Sequence, residues 1–273
     1  MSLLSEQSII ELTKHMNTVD TIHNDLLNLG VKAGDILLVH SSLSSIGWVC
    51  GAAQAVVVAL SQVINENGTL IMPAHSGAVS DPAKWENPPV PKEWLQQIYD
   101  SMPAFDVNLT QSSGMGSIAE LFRTLPGVHR SNHPQVSFAA QGKFAKDITD
   151  NHKLTPQFGM ESPLGKMYDL NAKVLLLGVG YDSCTCFHLA EALNEKMPTR
   201  KMGAAIIENN ERIWKWFEDF DYNSDDDFEK MGVALEATNN VVTGKVGRAE
   251  CKLFNMKAGV DFAKEWLQNN RFK

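Results

Sequence analysis

Short apolar runs alternate with helix-like segments through the first two thirds of the chain, and this alternation limits the fold more than any other feature. Apolar runs bounded by Gly, Pro or polar residues are typical of buried strands; they span residues 34–43, 68–77, 136–142 and 173–180. Segments with helical patterns lie before, between and after them, at residues 5–29, 51–64, 114–125, 144–151 and 188–195. Such alternation predicts an α/β protein.

The pattern changes after Pro198, where strand-like runs dominate. "GAAIIEN" and "RIWKWFEDF" follow each other closely, which favours an antiparallel pair, and residues 245–268 read as a strand followed by a helix. Two polar stretches, residues 78–112 and 221–237, are predicted as irregular excursions. We therefore expect a mixed sheet in a single-domain α/β sandwich over residues 1–273.

Composition excludes several classes of function. The 273 residues carry a formal net charge of −8, with 44% hydrophobic residues, so a basic nucleic-acid-binding face is not expected. The N-terminus lacks a basic segment followed by an apolar stretch, and no run approaches the roughly 18 apolar residues of a membrane span. We expect a cytoplasmic protein that could form an oligomer. Its four cysteines are expected to be reduced.

Residues 178–191, "GVGYDSCTCFHLAE", concentrate chemically active side chains after an apolar run. A dinucleotide loop would need Gly or Ala where Ser183 stands. A zinc site would need a wider cysteine spacing than Cys184-x-Cys186, and a second pair elsewhere. No metal is therefore expected, and both cysteines are interpreted as small buried side chains.

A third interpretation makes His188 a general base. His188 and Glu191 are three residues apart, so they share one face of a helix, and Asp182 lies in a loop that could fold back onto them. A carboxylate that holds an imidazole orients it and supports its basicity. These residues alone do not separate such a base from an ordinary helix-terminal histidine.

Two loops carry further candidate binding groups. The polar loop at 40–45 follows the first strand, at the edge where α/β sheets place ligands. The segment "SSGMGSIAELFR" (112–123) places Ser112, Ser113, Gly114 and Gly116 before a helix, whose free N–H groups can hold phosphate. Arg123, Arg130 and His133 follow and could pair with further phosphate oxygens. Because neither a P-loop nor a Rossmann signature is present, coenzyme A is a candidate ligand.

The sequence resembles the aminoglycoside 3-N-acetyltransferase family. The resemblance spans residues 5 to 267 and rests on "HSSL", "GTLIMPAHS", "GMGSIAELFR", "RSNHPQVSFAAQG", "ESPLGKM", "VLLLGVGYDSCTCFHLAE" and "GKVGRAECKLF". It implies the fold of that family, which is distinct from the GNAT acetyltransferases. It also implies that acetyl-CoA acylates the 3-amine of a deoxystreptamine ring.

The resemblance implies roles for individual residues. His188 would be the general base, supported by Glu191 and Asp182. The coenzyme-binding set combines the residues of the two loops with those of the matching segments: His40, Ser41, Ser42, Leu43, Pro73, His75, Ser112, Ser113, Gly114, Met115, Gly116, Ser117, Arg123, His133 and Ser137. The acidic run Asp225, Asp226 and Asp227 would attract a cationic aminoglycoside.

Three alternatives stay open at this point. The acceptor could be a different small amine, Ser41 or Ser42 could serve with His188 in a hydrolase, or the chain could bind a small molecule without catalysis. Thiol release from acetyl-CoA in the presence of an amine distinguishes the transferase from the other two.

Overall fold

A seven-stranded mixed sheet lies at the centre of the protein, whose computed structural model describes residues 5–222 and 227–272. In spatial order the strands are β3 (His129–Arg130), β4 (Phe138–Gly142), β2 (Thr69–Pro73), β1 (Ile36–Ser41), β5 (Lys173–Leu177), β9 (Ala249–Asn255) and β8 (Val241–Val246). The three central strands, β2, β1 and β5, run parallel, and every flanking pair is antiparallel.

The central strands are buried on both faces, which explains why they read as continuous apolar runs. In β1, Leu37 and Val39 face one core cluster and Leu38 faces the other, as the two-residue period of a strand requires. Because β1 and β5 are parallel and pair from Leu37 to Ser41, their carboxyl ends meet at the same edge of the sheet.

Helices cover both faces of the sheet. One face packs against α2 (Val19–Leu29), α4 (Ala52–Ile64) and α6 (Gly116–Arg123), and the other against α7 (Ala145–Thr149), α8 (Pro163–Asp169), α9 (Phe187–Ala192), α10 (Phe228–Glu236) and α11 (Met256–Asn270). Short helices complete the order: α1 (Glu6–Leu12), α3 (Leu43–Ile46) and α5 (Leu95–Ser101). The predicted mixed α/β architecture is confirmed.

A two-stranded hairpin stands apart from the main sheet. It pairs β6 (Thr199–Glu208) with β7 (Glu211–Phe220) along their whole length, which confirms the antiparallel pair predicted after Pro198. The first strand of the hairpin contacts the main body of the protein: the Gln135 side chain donates a hydrogen bond to the carbonyl of Gly203 at 2.9 Å. This contact brings the start of the hairpin beside the loop that precedes β4.

Local sequence signals set the element ends. Thr18 accepts from the amide of Thr21 while Thr21 accepts from the amide of Thr18, a reciprocal cap that starts α2. Gly30 ends the same helix at φ 105°, a left-handed conformation that suits glycine. The end of α2 agrees with the helical pattern predicted over residues 5–29.

The two predicted irregular excursions are partly helical, so that interpretation is wrong. The first contains α5 and three short 3₁₀ turns, and the second contains α10. Strand β8 was not predicted either, because it is a largely exposed edge strand with Gly244 in its middle. Within residues 5–222 and 227–272, no helix combines the length and the apolarity of a membrane span.

Candidate active site

A cavity of about 940 Å³ opens where the carboxyl ends of β1 and β5 meet. Six chain segments contribute to it: α1, the turn from β1 into α3, the stretch from α3 into α4, the residues after β2, the loop before α6 and the turn after β5. Twelve of the predicted site residues line this cavity: His40, Ser41, Ser42, Leu43, Pro73, His75, Gly114, Met115, Gly116, Ser117, Asp182 and His188. The structure thus brings together most of the predicted coenzyme set with the predicted base.

Two glycines let the loop before α6 approach the end of β1. Gly114 and Gly116 have φ values of 74° and 80°, which L side chains rarely adopt. A Cβ on Gly116 would lie 3.6 Å from the carbonyl oxygen of Ser41. The glycines therefore allow the start of α6 to face the same cavity as the serine loop.

A second cavity of about 370 Å³ adjoins the first. Its wall combines the residues after β2, the loop before β4, residues 157–158 and the start of the β6–β7 hairpin, together with Ser113. His75 and His188 line both cavities. The imidazole predicted to be the base therefore lies where two separate ligands would meet.

His188 is held by a chain of charged side chains. Its Nδ1 lies 2.6 Å from Oε2 of Glu191, which is 1% exposed. The other oxygen of Glu191 accepts from Arg271, whose Nε donates to Asp227 at 2.9 Å. With Nδ1 turned to a carboxylate, Nε2 is left to accept a proton from a ligand.

Aromatic rings fix the plane of the imidazole. The ring of Phe158 stacks on His188 with centroids 4.7 Å apart and an angle of 13° between the planes. The ring centroids of Tyr222 and Phe228 lie 5.3 and 4.9 Å from that of His188. The hydrogen bond and these contacts together leave one orientation for the base.

The other two histidines of the larger cavity are held neutral. Burial, and then the positive charge of a protonated His188, lower the pKa of His40 and of His75 to about 3. The Nε2 atom of each is buried, without a hydrogen-bond partner among the described residues. Both rings can therefore offer a neutral donor or acceptor to a ligand.

Arg123 does not line the larger cavity, and its contacts favour a structural role over the predicted phosphate contact. Its side chain is 5% exposed and donates twice to Glu120, at 2.7 and 2.5 Å, and to the carbonyl of Asn108 at 3.2 Å. Ser112 bonds to the same carboxylate through its amide and its hydroxyl. Burial raises the pKa of Glu120, but these hydrogen bonds outweigh it and lower the pKa to about 2.

His133, Ser137 and Arg130 are also structural. His133 is fully buried; its Nδ1 accepts from two backbone amides and its Nε2 lies 3.2 Å from the carbonyl of Leu154. Ser137, likewise buried, donates to the carbonyl of Ala74 and accepts from Arg130. Because their polar atoms are used inside the protein, a structural role is favoured over the predicted coenzyme contact.

The predicted acidic residues separate into different roles. Asp182 is exposed on the wall of the larger cavity, and no hydrogen bond of the described residues joins it to His188. Asp227 pairs with Arg271 and is therefore part of the fold rather than a surface that attracts cations. Asp225 and Asp226 lie outside the described residues.

Cys184 and Cys186 are buried, with their sulfur atoms 3.4 Å apart, which agrees with their interpretation as core side chains. In the part of the chain that the structure describes, no three His, Cys, Asp or Glu side chains are grouped as metal ligands would be. Helix α9 begins directly after Cys186, and its second residue, His188, lies at the cavity.

Several site residues have no local sequence signal. Arg271 lies 80 residues from Glu191, and Phe158, Gln157 and Arg200 come from loops and strand ends without a motif. A sequence pattern with i,i+3 spacing identifies the pair His188–Glu191, but it cannot identify partners that only the tertiary fold brings near.

The chain is similar to a known protein family, to curated sequences and to solved structures. The model of the family described as aminoglycoside 3-N-acetyltransferase matches residues 38–268. The SPbeta prophage-derived aminoglycoside N(3')-acetyltransferase-like protein YokD of Bacillus subtilis (strain 168) is 48% identical over 271 residues, which are 98% of each chain. Its crystal structure superposes with a TM-score of 0.96 at 47% identity, covering 98% of this chain and 99% of that one.

More distant relatives carry the same activity in their names. Aminoglycoside N(3)-acetyltransferase IX of Micromonospora chalcea is 30% identical, with 97% of this chain and 98% of the relative aligned. The structure of AAC-IIIb in a binary complex with CoASH matches with a TM-score of 0.83 at 27% identity, over 93% of this chain and 97% of that one.

Proposed function

Because the chain belongs to the aminoglycoside 3-N-acetyltransferase family, we propose that it transfers the acetyl group of acetyl-CoA to an amine held in the smaller cavity. The observation that carries this proposal is the position of His188, which lines both cavities. A base at such a junction can reach an acceptor on one side while a thioester lies on the other.

The larger cavity is the proposed coenzyme site. Its volume suits an extended ligand, and its lining combines the serine loop after β1 with the glycine-flanked start of α6. The contacts with phosphate must come from this lining rather than from Arg123, which is occupied by Glu120.

His188 makes the acceptor nucleophilic. An ammonium has no lone pair for attack on a thioester, so the acceptor nitrogen must give up a proton, and Nε2 of His188 can take it directly or through water. Attack forms the C–N bond and a tetrahedral intermediate, and the collapse of this intermediate breaks the C–S bond. Of the two protons that the ammonium loses on becoming an amide, one passes through His188 to the leaving sulfur and the other passes to solvent. Glu191 stabilises the imidazolium that forms in between.

The serine loop offers donors for the oxyanion of the tetrahedral intermediate. The amide of Ser42 already donates to the carbonyl of Leu177 at 3.0 Å, so it is not available. Ser41 and Ser42 line the cavity. Oγ of Ser42 accepts from Ser45 at 2.9 Å and lies 3.3 Å from Oγ of Ser44, so its own proton can be donated to Ser44 or to a ligand. These hydroxyls are the proposed oxyanion donors.

Two classes of acceptor fit this mechanism. The 3-amine of a 2-deoxystreptamine aminoglycoside is the acceptor that the family name gives. A different small amine is the second class, and the charges of the smaller cavity, three cations and one carboxylate among the described residues, favour it.

The experiment is thiol release from acetyl-CoA in the presence of a panel of amines that includes a 2-deoxystreptamine aminoglycoside. At least one amine should accelerate thiol release above the rate without amine, and mass spectrometry should show the acetylated product. His188→Asn, which keeps the size of the ring but cannot accept the proton, should lower kcat by about 10²–10⁴-fold. Ester turnover without coenzyme A, with thiol release unaffected by every amine, would contradict the proposal and favour a hydrolase.

A further inference from the structure

The wall of the smaller cavity carries more positive than negative charge. Among the described residues, the charged side chains in this wall are Asp81, Lys84, Arg200 and Lys201. The one carboxylate is already used inside the protein: Oδ1 of Asp81 accepts from the hydroxyl of Tyr99 at 2.9 Å and from the amide of Ala83 at 3.0 Å. Arg200 is itself paired with Asp221, so Lys84 and Lys201 give the wall its excess of positive charge.

Arg200 is held by an ion pair, yet its Nε has no acceptor among the described residues. Its Nη1 lies 3.3 Å from Oδ1 of Asp221, which anchors the guanidinium. Its Nε is buried and has no hydrogen-bond partner among the described residues. A buried donor without an acceptor is costly and rare in folded proteins, so this group indicates a position for an anionic or acceptor group of a ligand.

Gln157 provides the opposite polarity in the same cavity. Its side chain is 3% exposed, and its Oε1 is buried without a donor among the described residues. The backbone amide of Gln157 is fixed by Asp219 at 2.8 Å, so the residue is held in place. An unused acceptor of this kind would receive an N–H or O–H of the ligand.

Lys201 is held near the entrance by an aromatic ring. Its Nζ lies 4.3 Å from the centroid of Trp216 on the neighbouring strand, a contact that limits the freedom of the ammonium. Lys201 and Arg200 are adjacent in β6, and both line the cavity. Because consecutive residues of a strand point to opposite faces, Arg200 is the candidate for direct contact with a ligand, and Lys201 adds positive charge near the same cavity.

We infer that the acceptor is a small amine that also carries an oxyanion, such as a carboxylate or a phosphate. The inference rests on the proposed function and specifies its substrate class. Arg200 would bind the oxyanion, with the positive charge of Lys201 nearby. Gln157 would accept from an N–H or O–H of the ligand, and His188 would take the proton of the reacting amine. An acceptor with several ammonium groups would be repelled by the excess of positive charge, and a cavity of about 370 Å³ is at the small end of ligand sites.

Matched pairs of amines test the inference. Thiol release from acetyl-CoA is measured with glucosamine 6-phosphate against glucosamine, with an amino acid against its carboxamide, and with a 2-deoxystreptamine aminoglycoside. The acid-bearing member of at least one pair should have a kcat/KM about 10–100-fold above that of its partner, the usual worth of a charge-assisted hydrogen bond. It should also exceed the aminoglycoside.

Variants show whether the cavity causes the preference. Arg200→Gln and Lys201→Gln should each remove most of it, mainly through KM. Lys215→Gln is the matched control, because Lys215 lies on the same hairpin, pairs with Glu208 at 2.9 Å and is not in the wall of either cavity. It should retain the full preference.

The outcomes separate the inference from the proposed function. Equal or better turnover of the neutral partners or the aminoglycoside, unchanged in both cavity variants, would overturn the inference and leave the acetyltransferase intact. Absence of thiol release with every amine would overturn the proposed function, and the inference would fall with it.

Discussion

Replacement of Glu191 by Gln should reduce turnover rather than substrate affinity. Glu191 is 1% exposed and does not belong to the wall of either cavity, so it cannot hold a cationic substrate. One of its oxygens faces Nδ1 of His188 at 2.6 Å, and the other accepts from Arg271. Both oxygens must therefore be acceptors at once.

A glutamine cannot satisfy both neighbours. The guanidinium of Arg271 carries only donors and stays in place through Asp227, so it selects the carbonyl oxygen of the new amide. The amide NH₂ then faces Nδ1 of His188 and donates to it, which moves the ring proton to Nε2. Because Nε2 is the atom that must accept a proton, the predominant tautomer is inactive, and we expect kcat to fall by about 10²–10⁴-fold.

Steady-state kinetics with the best amine of the panel measure this effect. KM for acetyl-CoA should change by less than about threefold, since Glu191 contacts neither cavity. Glu195→Gln is the matched control, because Glu195 is an exposed glutamate just beyond the same helix, and it should retain wild-type kcat. Thermal unfolding should show that Glu191→Gln is folded at the assay temperature. A folded variant with kcat within a few-fold of wild type, or with a raised KM alone, would refute this account of the base.

Two further predictions concern stability. Arg123→Ala should destabilise the fold by about 1–3 kcal/mol, because it removes the buried partner of a half-buried, hydrogen-bonded carboxylate, and calorimetry should find coenzyme A affinity unchanged; affinity at least tenfold weaker would restore Arg123 to the site. Acid should destabilise the protein: the unfolded chain binds a proton on His40 below a pKa of about 6.5, whereas the folded chain does so only near 3. The free energy of unfolding, measured by urea titration, therefore falls by about 1.4 kcal/mol per pH unit in that window for this residue. His40→Gln should remove that part of the slope, the exposed His15→Gln should not, and equal slopes in all three proteins would contradict the assignment.

Local patterns in the sequence predicted the parts of the site that lie close together along the chain. His188 and Glu191 share a helix face, and the serine loop follows directly from a buried strand, so spacing and strand position were sufficient to find them. The same reasoning applied to Glu120 and Arg123 would have predicted an ion pair at i,i+3; assigning Arg123 to phosphate overlooked this nearer partner.

Contacts between distant segments could not be predicted in this way. Full burial of His133 and Ser137 depends on how the strand β4 and its preceding loop pack, which composition does not reveal. The second cavity is a further example, since its wall joins residues 75–84 to the start of a hairpin more than 110 residues later. Its excess of cations is opposite in sign to the net charge of −8, so the overall charge does not indicate the local charge of this wall.

The orientation of the base is a property of the whole fold on one side of the sheet. Glu191 lies in α9, Asp227 directly precedes α10, and Arg271 directly follows α11, so three elements must pack before the carboxylate is fixed. Because Arg271 is 7% exposed and bonded to both carboxylates, this arrangement exists before any substrate binds. Catalysis benefits from such preorganisation, since no free energy is needed to orient the imidazole at the moment of proton transfer. The tautomer of His188 is thus set by contacts that lie outside both cavities, which is why substitutions there should act on kcat.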